Sequence, residues 1–207
     1  MSFGIGQPVP RTEDPRLLTG NGHYADDFNQ MNQAHAVVLR SPHAHARIVS
    51  IDTSAALEMP GILAVLTGAD YAADGMGLVT GGAPLKRRDG SPMARPPRPG
   101  LTFDLVHHVG QAVAIIVAET VAQATDASEA IEIDYEPLPP VMSTETANRP
   151  GTPQIWEQCP DNEVFVQQYG DGKATDDAFA NAAHIVQNRF VITRVHASTM
   201  EPRAVLA

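Results

Sequence analysis

The sequence predicts an α/β protein, and three stretches predict it. Residues 109–118 read Val-Gly-Gln-Ala-Val-Ala-Ile-Ile-Val-Ala without a charge. A run this apolar and β-branched, too short to cross a bilayer, has the pattern of a strand buried on both faces at the centre of a sheet. Thr120-Val-Ala-Gln123 then has the spacing of a capping box opening an alanine-rich helix that reaches Ala130, and Ile131-Glu-Ile-Asp-Tyr135 alternates as a half-exposed strand. Strand, helix and strand in so short a span read as a βαβ unit, and residues 47–66 supply a second one.

In chain order, residues 1–27 have no sustained hydrophobic period. Pro8, Pro10, Pro15 and the charged Arg11-Thr-Glu-Asp-Pro-Arg16 segment predict an extended arm lying on another surface. Residues 33–40 are strand-like and closed by Ser41-Pro42; residues 47–52 (Arg-Ile-Val-Ser-Ile-Asp) form a second strand, and the two could form one hairpin. Thr53-Ser54 caps a short helix over residues 55–59 that Pro60-Gly61 stops, and Ile62-Leu-Ala-Val-Leu66 is a buried strand that turns out through Thr67-Gly68-Ala-Asp70. Residues 75–100, with Gly81-Gly82 and four prolines, predict a long ordered loop or an insertion. After Tyr135-Glu-Pro-Leu-Pro-Pro140 a proline-interrupted connector carries the only tryptophan, Trp156. Acidic Asp176 and Asp177 then favour a helix start near Thr175, residues 184–195 predict a strand with Val186, Phe190 and Ile192 on one face, and Glu201-Pro-Arg-Ala-Val-Leu-Ala207 begins another. A chain ending inside a strand is expected to be completed by further polypeptide or a partner.

Composition narrows the function classes. With 14 basic and 24 acidic residues the net charge is -10, which disfavours nucleic acid and offers no basic stripe to a membrane surface. One cysteine, Cys159, excludes an internal disulfide and a cysteine-cluster metal site within these residues, and fits a reducing compartment. No apolar run approaches the roughly 20 residues of a membrane span, and the first residues lack a signal-peptide pattern, so the expectation is a cytoplasmic protein.

Candidate chemistry is sparse. On a strand, His43 and His45 would face one side and could share a metal with His35, His107 or His108, but no carboxylate or thiolate accompanies them, and histidines at a strand edge serve equally as hydrogen-bonding residues. Gly110-Gln111 has the look of a ligand-binding turn without phosphate-loop spacing, and Gly4-x-Gly6 has no third glycine. The Lys86-Arg-Arg88 cluster suits a phosphate, a solvated loop tip or an acidic neighbour. Cys159 has no helix N-terminus to activate it, and no Gly-x-Ser-x-Gly elbow occurs. Glu201 reads either as a buried carboxylate paired to Arg203 or another arginine, or as a residue lining a site. Catalytic, cofactor-binding and metal-ligating residues stay unassigned.

Six motifs in order do more. Arg11-Thr-Glu-Asp-Pro-Arg-Leu-Leu-Thr-Gly20, Arg40-Ser-Pro-His-Ala-His-Ala-Arg-Ile48, Met59-Pro-Gly-Ile62 with Leu66-Thr-Gly68, Val109-Gly-Gln111 through Ala118-Glu119, Asp134-Tyr-Glu-Pro-Leu138 and Met200-Glu-Pro-Arg203 follow one another. Together they resemble the large subunit of the molybdenum hydroxylases, the family of xanthine dehydrogenase, aldehyde oxidase and aerobic carbon monoxide dehydrogenase, and above all its bacterial three-subunit branch. The resemblance implies an extended arm over residues 1–21, an α/β hammerhead domain over 22–140, a proline-rich connector over 141–170 and the truncated start of a molybdenum-cofactor-binding domain over 171–207. It also implies water-derived hydroxylation of an aldehyde, an N-heterocycle or a similar small substrate, or oxidation of carbon monoxide, with a glutamate as base. The implied cofactors are a molybdopterin-type molybdenum cofactor in the complete subunit, with FAD and [2Fe-2S] clusters in partner subunits. The implied partners are the remainder of the large subunit or a split chain, an iron–sulfur small subunit and an FAD medium subunit in a hetero-oligomer. The catalytic residues are expected beyond Ala207, and Glu201, in the Glu-Pro-Arg motif, is expected to be mainly structural. An alternative is a non-catalytic assembly module that binds the partner subunits.

Overall fold

The structure is a computed structural model that describes Gly6 and residues 9–79, 81–193, 195–199, 201 and 203–207. Gly4 of the Gly4-x-Gly6 pair, Pro8 of the arm, Arg194 in the predicted strand, and Met200 and Pro202 of the last motif lie outside the described residues. The chain divides into two units, residues 34–182 and residues 1–33 with 183–207.

The larger unit holds two antiparallel sheets. In the first, β5 (Ala112–Ala118) lies between β1 (His35–Arg40) and β3 (Ile62–Thr67). Its Ile116 sits opposite Val37 on one side and Val65 on the other. In the second sheet β2 (Ala46–Asp52) lies between β4 (Leu105–Val106) and β6 (Glu132–Pro137). The most apolar stretch is therefore a sheet centre, as expected. It starts three residues later than predicted because Gly110, at φ +83°, turns the chain before the ladder begins. Val113, Ala114, Ile116 and Ala118 are buried, whereas Ile115 and Val117 are partly covered.

Neither βαβ unit forms within one sheet. The helix α4 (Val121–Glu129) follows β5, but β1 and β3 already occupy both edges of β5, so β6 pairs with β2 in the other sheet. For the same reason β2, the short helix α2 (Ser54–Leu57) and β3 pass from one sheet to the other. The β1–β2 hairpin is also absent: the Ser41 amide donates to the Gln111 carbonyl (2.9 Å) and its carbonyl accepts from Gly110 (2.8 Å), which carries the chain past the end of β5 before β2 starts. The outcome is a mixed α/β domain whose ladders all run antiparallel.

Helix α4 begins as its sequence requires. The Thr120 hydroxyl accepts the Gln123 amide (3.2 Å) and donates to Gln123 Oε1 (2.8 Å), so the reciprocal contact is made side chain to side chain. Its Ala124 and Ala127 are wholly buried against Ala56, Val65, Ala114, Ile116 and Ala118. Alanines there let the helix approach the sheet closely. Ala46, Ile48, Val106 and Val113 make a second buried cluster, and Leu39, Ile51 and Ile133 touch both, so the two sheets share one core. Thr67 to Asp70, expected as a turn, instead opens a helix, α3 (Gly68–Ala73): Asp70 Oδ2 accepts both the amide and the hydroxyl of Thr67 (2.7 Å each).

Backbone bonds order the described residues of the 75–100 loop. Val79 donates to Arg98, Met93 to Leu85, Ala94 to Val164, and Val166 to Lys86 (2.7 to 3.0 Å). Those last two bonds tie the loop to the 161–166 segment. Further on, α5 (Gly172–Ala180) starts before Thr175 because Asp171 Oδ1 accepts the Ala174 amide at 3.0 Å.

In the smaller unit, the arm expected to be extended contains α1 (Asp14–Leu18), with Pro15 in its first turn, and a 3-10 turn at Ala25–Asp27. Among the described residues, 184–193 and 203–207 form no strand, contrary to the sequence pattern. A strand exists only when a neighbour takes its backbone bonds, and no β ladder among the described residues includes this stretch. Val186, Phe190 and Ile192 are left exposed.

Candidate functional site

Several polar and aromatic residues gather where the chain enters β5. Arg40 Nη1 donates to the Gly110 carbonyl (2.9 Å), and the buried Gln111 uses Oε1 to accept the His107 amide (2.7 Å). The His107 ring stacks on Trp156 with centroids 3.5 Å apart and planes 3° from parallel. His45 is the next ring, at 6.1 Å from His107, and its Nδ1 donates to the Pro139 carbonyl (3.0 Å). Trp156 is held by the loop around Asn162, a left-handed residue at φ +52°. The Asn162 side chain accepts the Ile155 amide (3.0 Å) and donates to the carbonyls of Ala147 (2.9 Å) and Pro153 (2.8 Å).

His107 Nδ1 is buried and has no hydrogen-bond partner among the described residues. Burial, followed by the nearby His45, pushes the His107 pKa down to about 4. A folded-state pKa below the ordinary value of about 6.5 means that the unfolded chain binds the proton first. The stability conferred by the neutral ring is complete above about pH 6.5 and is lost as the pH falls towards 4. Between pH 7.5 and pH 5, wild type is expected to lose about 1 kcal/mol more than His107→Phe, a figure discounted for the partly exposed ring. Denaturant unfolding at the two pH values checks this, and equal losses would contradict it.

Beside the stack lies an open cleft of about 920 Å³ whose walls include Arg40, Arg95, Arg98, Leu78, His108 and Trp156. The fold thus brings together Gln111, His107, Trp156 and three arginines from four separate segments. Sequence reading singled out Gln111 and His107 without joining them to Trp156. The sole tryptophan inside an irregular connector was the available signal.

The other candidates separate. His43 and His45 precede β2 rather than sit on it; the His43 ring packs 4.7 Å from Tyr135, away from the His45–His107 pair. Burial raises the Tyr135 phenol pKa, with a hydrogen bond to Ser41 opposing. The basic loop meets acidic neighbours, Arg87 with Asp161 (3.5 Å) and Arg88 with Glu163 (3.4 Å). Glu201 is exposed, and its Oε1 accepts the Ala25 amide (2.9 Å), so the buried pairing with Arg203 is replaced by a backbone contact inside the smaller unit. Cys159 is buried, and burial raises its thiol pKa. Among the described residues, no three His, Cys, Asp or Glu side chains converge as metal ligands. A single thiol does not supply the cysteine set of an iron–sulfur cluster. No helix of the described residues is long and apolar enough to cross a membrane.

This fold, two antiparallel sheets around one core with a helix packed on the central strand of one of them, defines a class of α/β domain. The profile described as "Aldehyde oxidase and xanthine dehydrogenase, a/b hammerhead domain" matches residues 19–139, and the chain belongs to that family. It is 39% identical to the nicotine 6-hydroxylase large subunit of Paenarthrobacter nicotinovorans, over 98% of this chain and 24% of that protein. It is 35% identical to the carbon monoxide dehydrogenase large chain of Afipia carboxidovorans, over 96% of this chain and 25% of that one. The solved Cu,Mo-CO dehydrogenase in its carbon monoxide reduced state superposes with a TM-score of 0.67 at 34% identity, over 87% of this chain and 23% of that chain. The chain spans about a quarter of the length of these relatives.

Proposed function

We propose that this chain is the hammerhead-bearing portion of the large subunit of a molybdenum-containing hydroxylase or dehydrogenase. The carrying observation is an alignment over 98% of this chain with 24% of the nicotine 6-hydroxylase large subunit. In this reading the complete enzyme hydroxylates an aldehyde, an N-heterocycle or a similar small molecule with oxygen from water, or oxidises carbon monoxide, in the cytoplasm. The chain is inactive without the rest of the large subunit, which carries the molybdopterin-type cofactor and the catalytic residues. FAD and [2Fe-2S] clusters reside in a medium and a small partner subunit of a hetero-oligomer. Within the chain, residues 1–21 serve as an arm, 22–140 as the hammerhead domain, 141–170 as a connector, and 171–207 as the opening of the cofactor domain.

One feature supports the reading. The apolar side chains of Ile185, Val186, Phe190, Val191 and Ile192 are exposed, as suits a segment that pairs with further polypeptide. Affinity purification of the tagged chain from its native source is expected to bring down iron- and flavin-containing polypeptides. Recovery of the chain by itself, from cells expressing the neighbouring genes, would contradict the reading.

A further inference from the structure

We propose that the arginine-lined cleft seats an extended acidic segment of a partner polypeptide. The chain carries only 14 basic residues and a net charge of -10, yet Arg40, Arg95 and Arg98 all line this one cleft. No carboxylate lies among its described lining residues. Arg40 and Arg95 are held by single bonds to carbonyls, of Gly110 (2.9 Å) and Gly81 (3.4 Å), and neither they nor Arg98 forms an ion pair among the described residues. Three cations without counter-charges on a shared surface create a site for anionic groups.

The walls indicate a polypeptide rather than a small anion. Arg95 and Arg98 flank Pro96 and Pro97, and Pro99 follows. Prolines favour a polyproline conformation with three residues per turn, so arginines three apart issue from the same side, about 9 Å from one another. That spacing suits carboxylates distributed along an extended chain. Pro96, Pro97 and Pro99 have no amide to donate, so this wall cannot pair as a sheet edge, and recognition falls to side chains. Leu78 and Val79, 53% and 58% exposed, line the same cleft along with Trp156 and offer apolar contacts between the charges. The occupant is therefore an extended segment alternating acidic and apolar residues. The proposal concerns the cleft alone and does not depend on the reaction proposed above.

Trp156 lines the cleft and is the sole tryptophan, so its fluorescence reports occupancy directly. The full chain is titrated with a short peptide alternating glutamate and leucine, with the glutamine version and citrate as comparators. A saturable change with the acidic peptide is expected, its apparent Kd rising about tenfold between about 0.05 and 0.3 M salt. Arg95→Gln with Arg98→Gln is expected to raise Kd about tenfold, while Arg87→Gln with Arg88→Gln, whose partners are Asp161 and Glu163, leaves it within about twofold. Circular dichroism checks the fold of each variant. Should the double variant misfold, Arg98→Gln alone, whose guanidinium has no hydrogen-bond or ion-pair partner among the described residues, is expected to raise Kd about threefold. No saturable change, an equal response to the glutamine peptide, equal loss in both arginine pairs, or citrate binding as tightly as the peptide would each overturn the proposal.

Discussion

Ile116→Ala is expected to lower the unfolding free energy by about 3–4 kcal/mol, within the range of about 2–5 kcal/mol for such truncations. Ile116 has no exposed surface and stands in the middle of β5, opposite both Val37 and Val65. On the sheet's helical face, Ala124 and Ala127 belong to the same cluster. Small neighbours on a short helix have little side chain with which to fill a void, so the cavity would persist and add to the lost transfer energy. A domain's stability is about 5–15 kcal/mol, so a large part of it is removed. Chemical denaturation read by circular dichroism measures the change. A loss below about 1 kcal/mol would mean that Ile116 is not packed as described.

Gly68→Ala is expected to cost about 3 kcal/mol, at the upper end for overpacking. A Cβ at Gly68 would lie 2.4 Å from both the carbonyl carbon and oxygen of Thr102. Backbone cannot swing aside as a flexible side chain does. Thr102 is itself fixed, its amide donating to the Ala112 carbonyl (3.0 Å) and its hydroxyl to that of Leu105 (2.7 Å). Relief of the clash therefore moves the start of α3 or the segment that leads into β4. Gly75→Ala is the informative contrast, since its Cβ would meet nothing within 4 Å and only its φ of +66° opposes the change. The loss at Gly68 should exceed that at Gly75 by about 2 kcal/mol in the same denaturation series. Equal losses would show that the close approach to Thr102 is absent.

The elements were more legible in the sequence than their pairing. Residues 112–118, the Thr120 cap and the alternation after Ile131 each announce themselves locally, because burial and capping act over a few residues. Nothing local says that both edges of β5 are taken, and the two expected βαβ units therefore resolve into strands of separate sheets. The run ending at Val195 shows the opposite failure. Its side-chain pattern suits a strand, but a pattern does not supply the neighbour that a ladder needs. The candidate site was visible only in pieces: Gln111 lies in the sequence motif around β5 and His107 two residues before it, whereas Trp156 reaches them through a loop organised by Asn162. The ordered family motifs carried the functional reading further than residue chemistry did.

Molybdenum measured by mass spectrometry in two preparations tests the central claim most directly, that this chain is the scaffold of a site completed by other polypeptide. The native assembly purified through a tag on this chain should contain molybdenum in stoichiometric amount, and the 207-residue chain alone should retain none after desalting. A complete, metal-free assembly, or an isolated chain that holds molybdenum stoichiometrically, would contradict it.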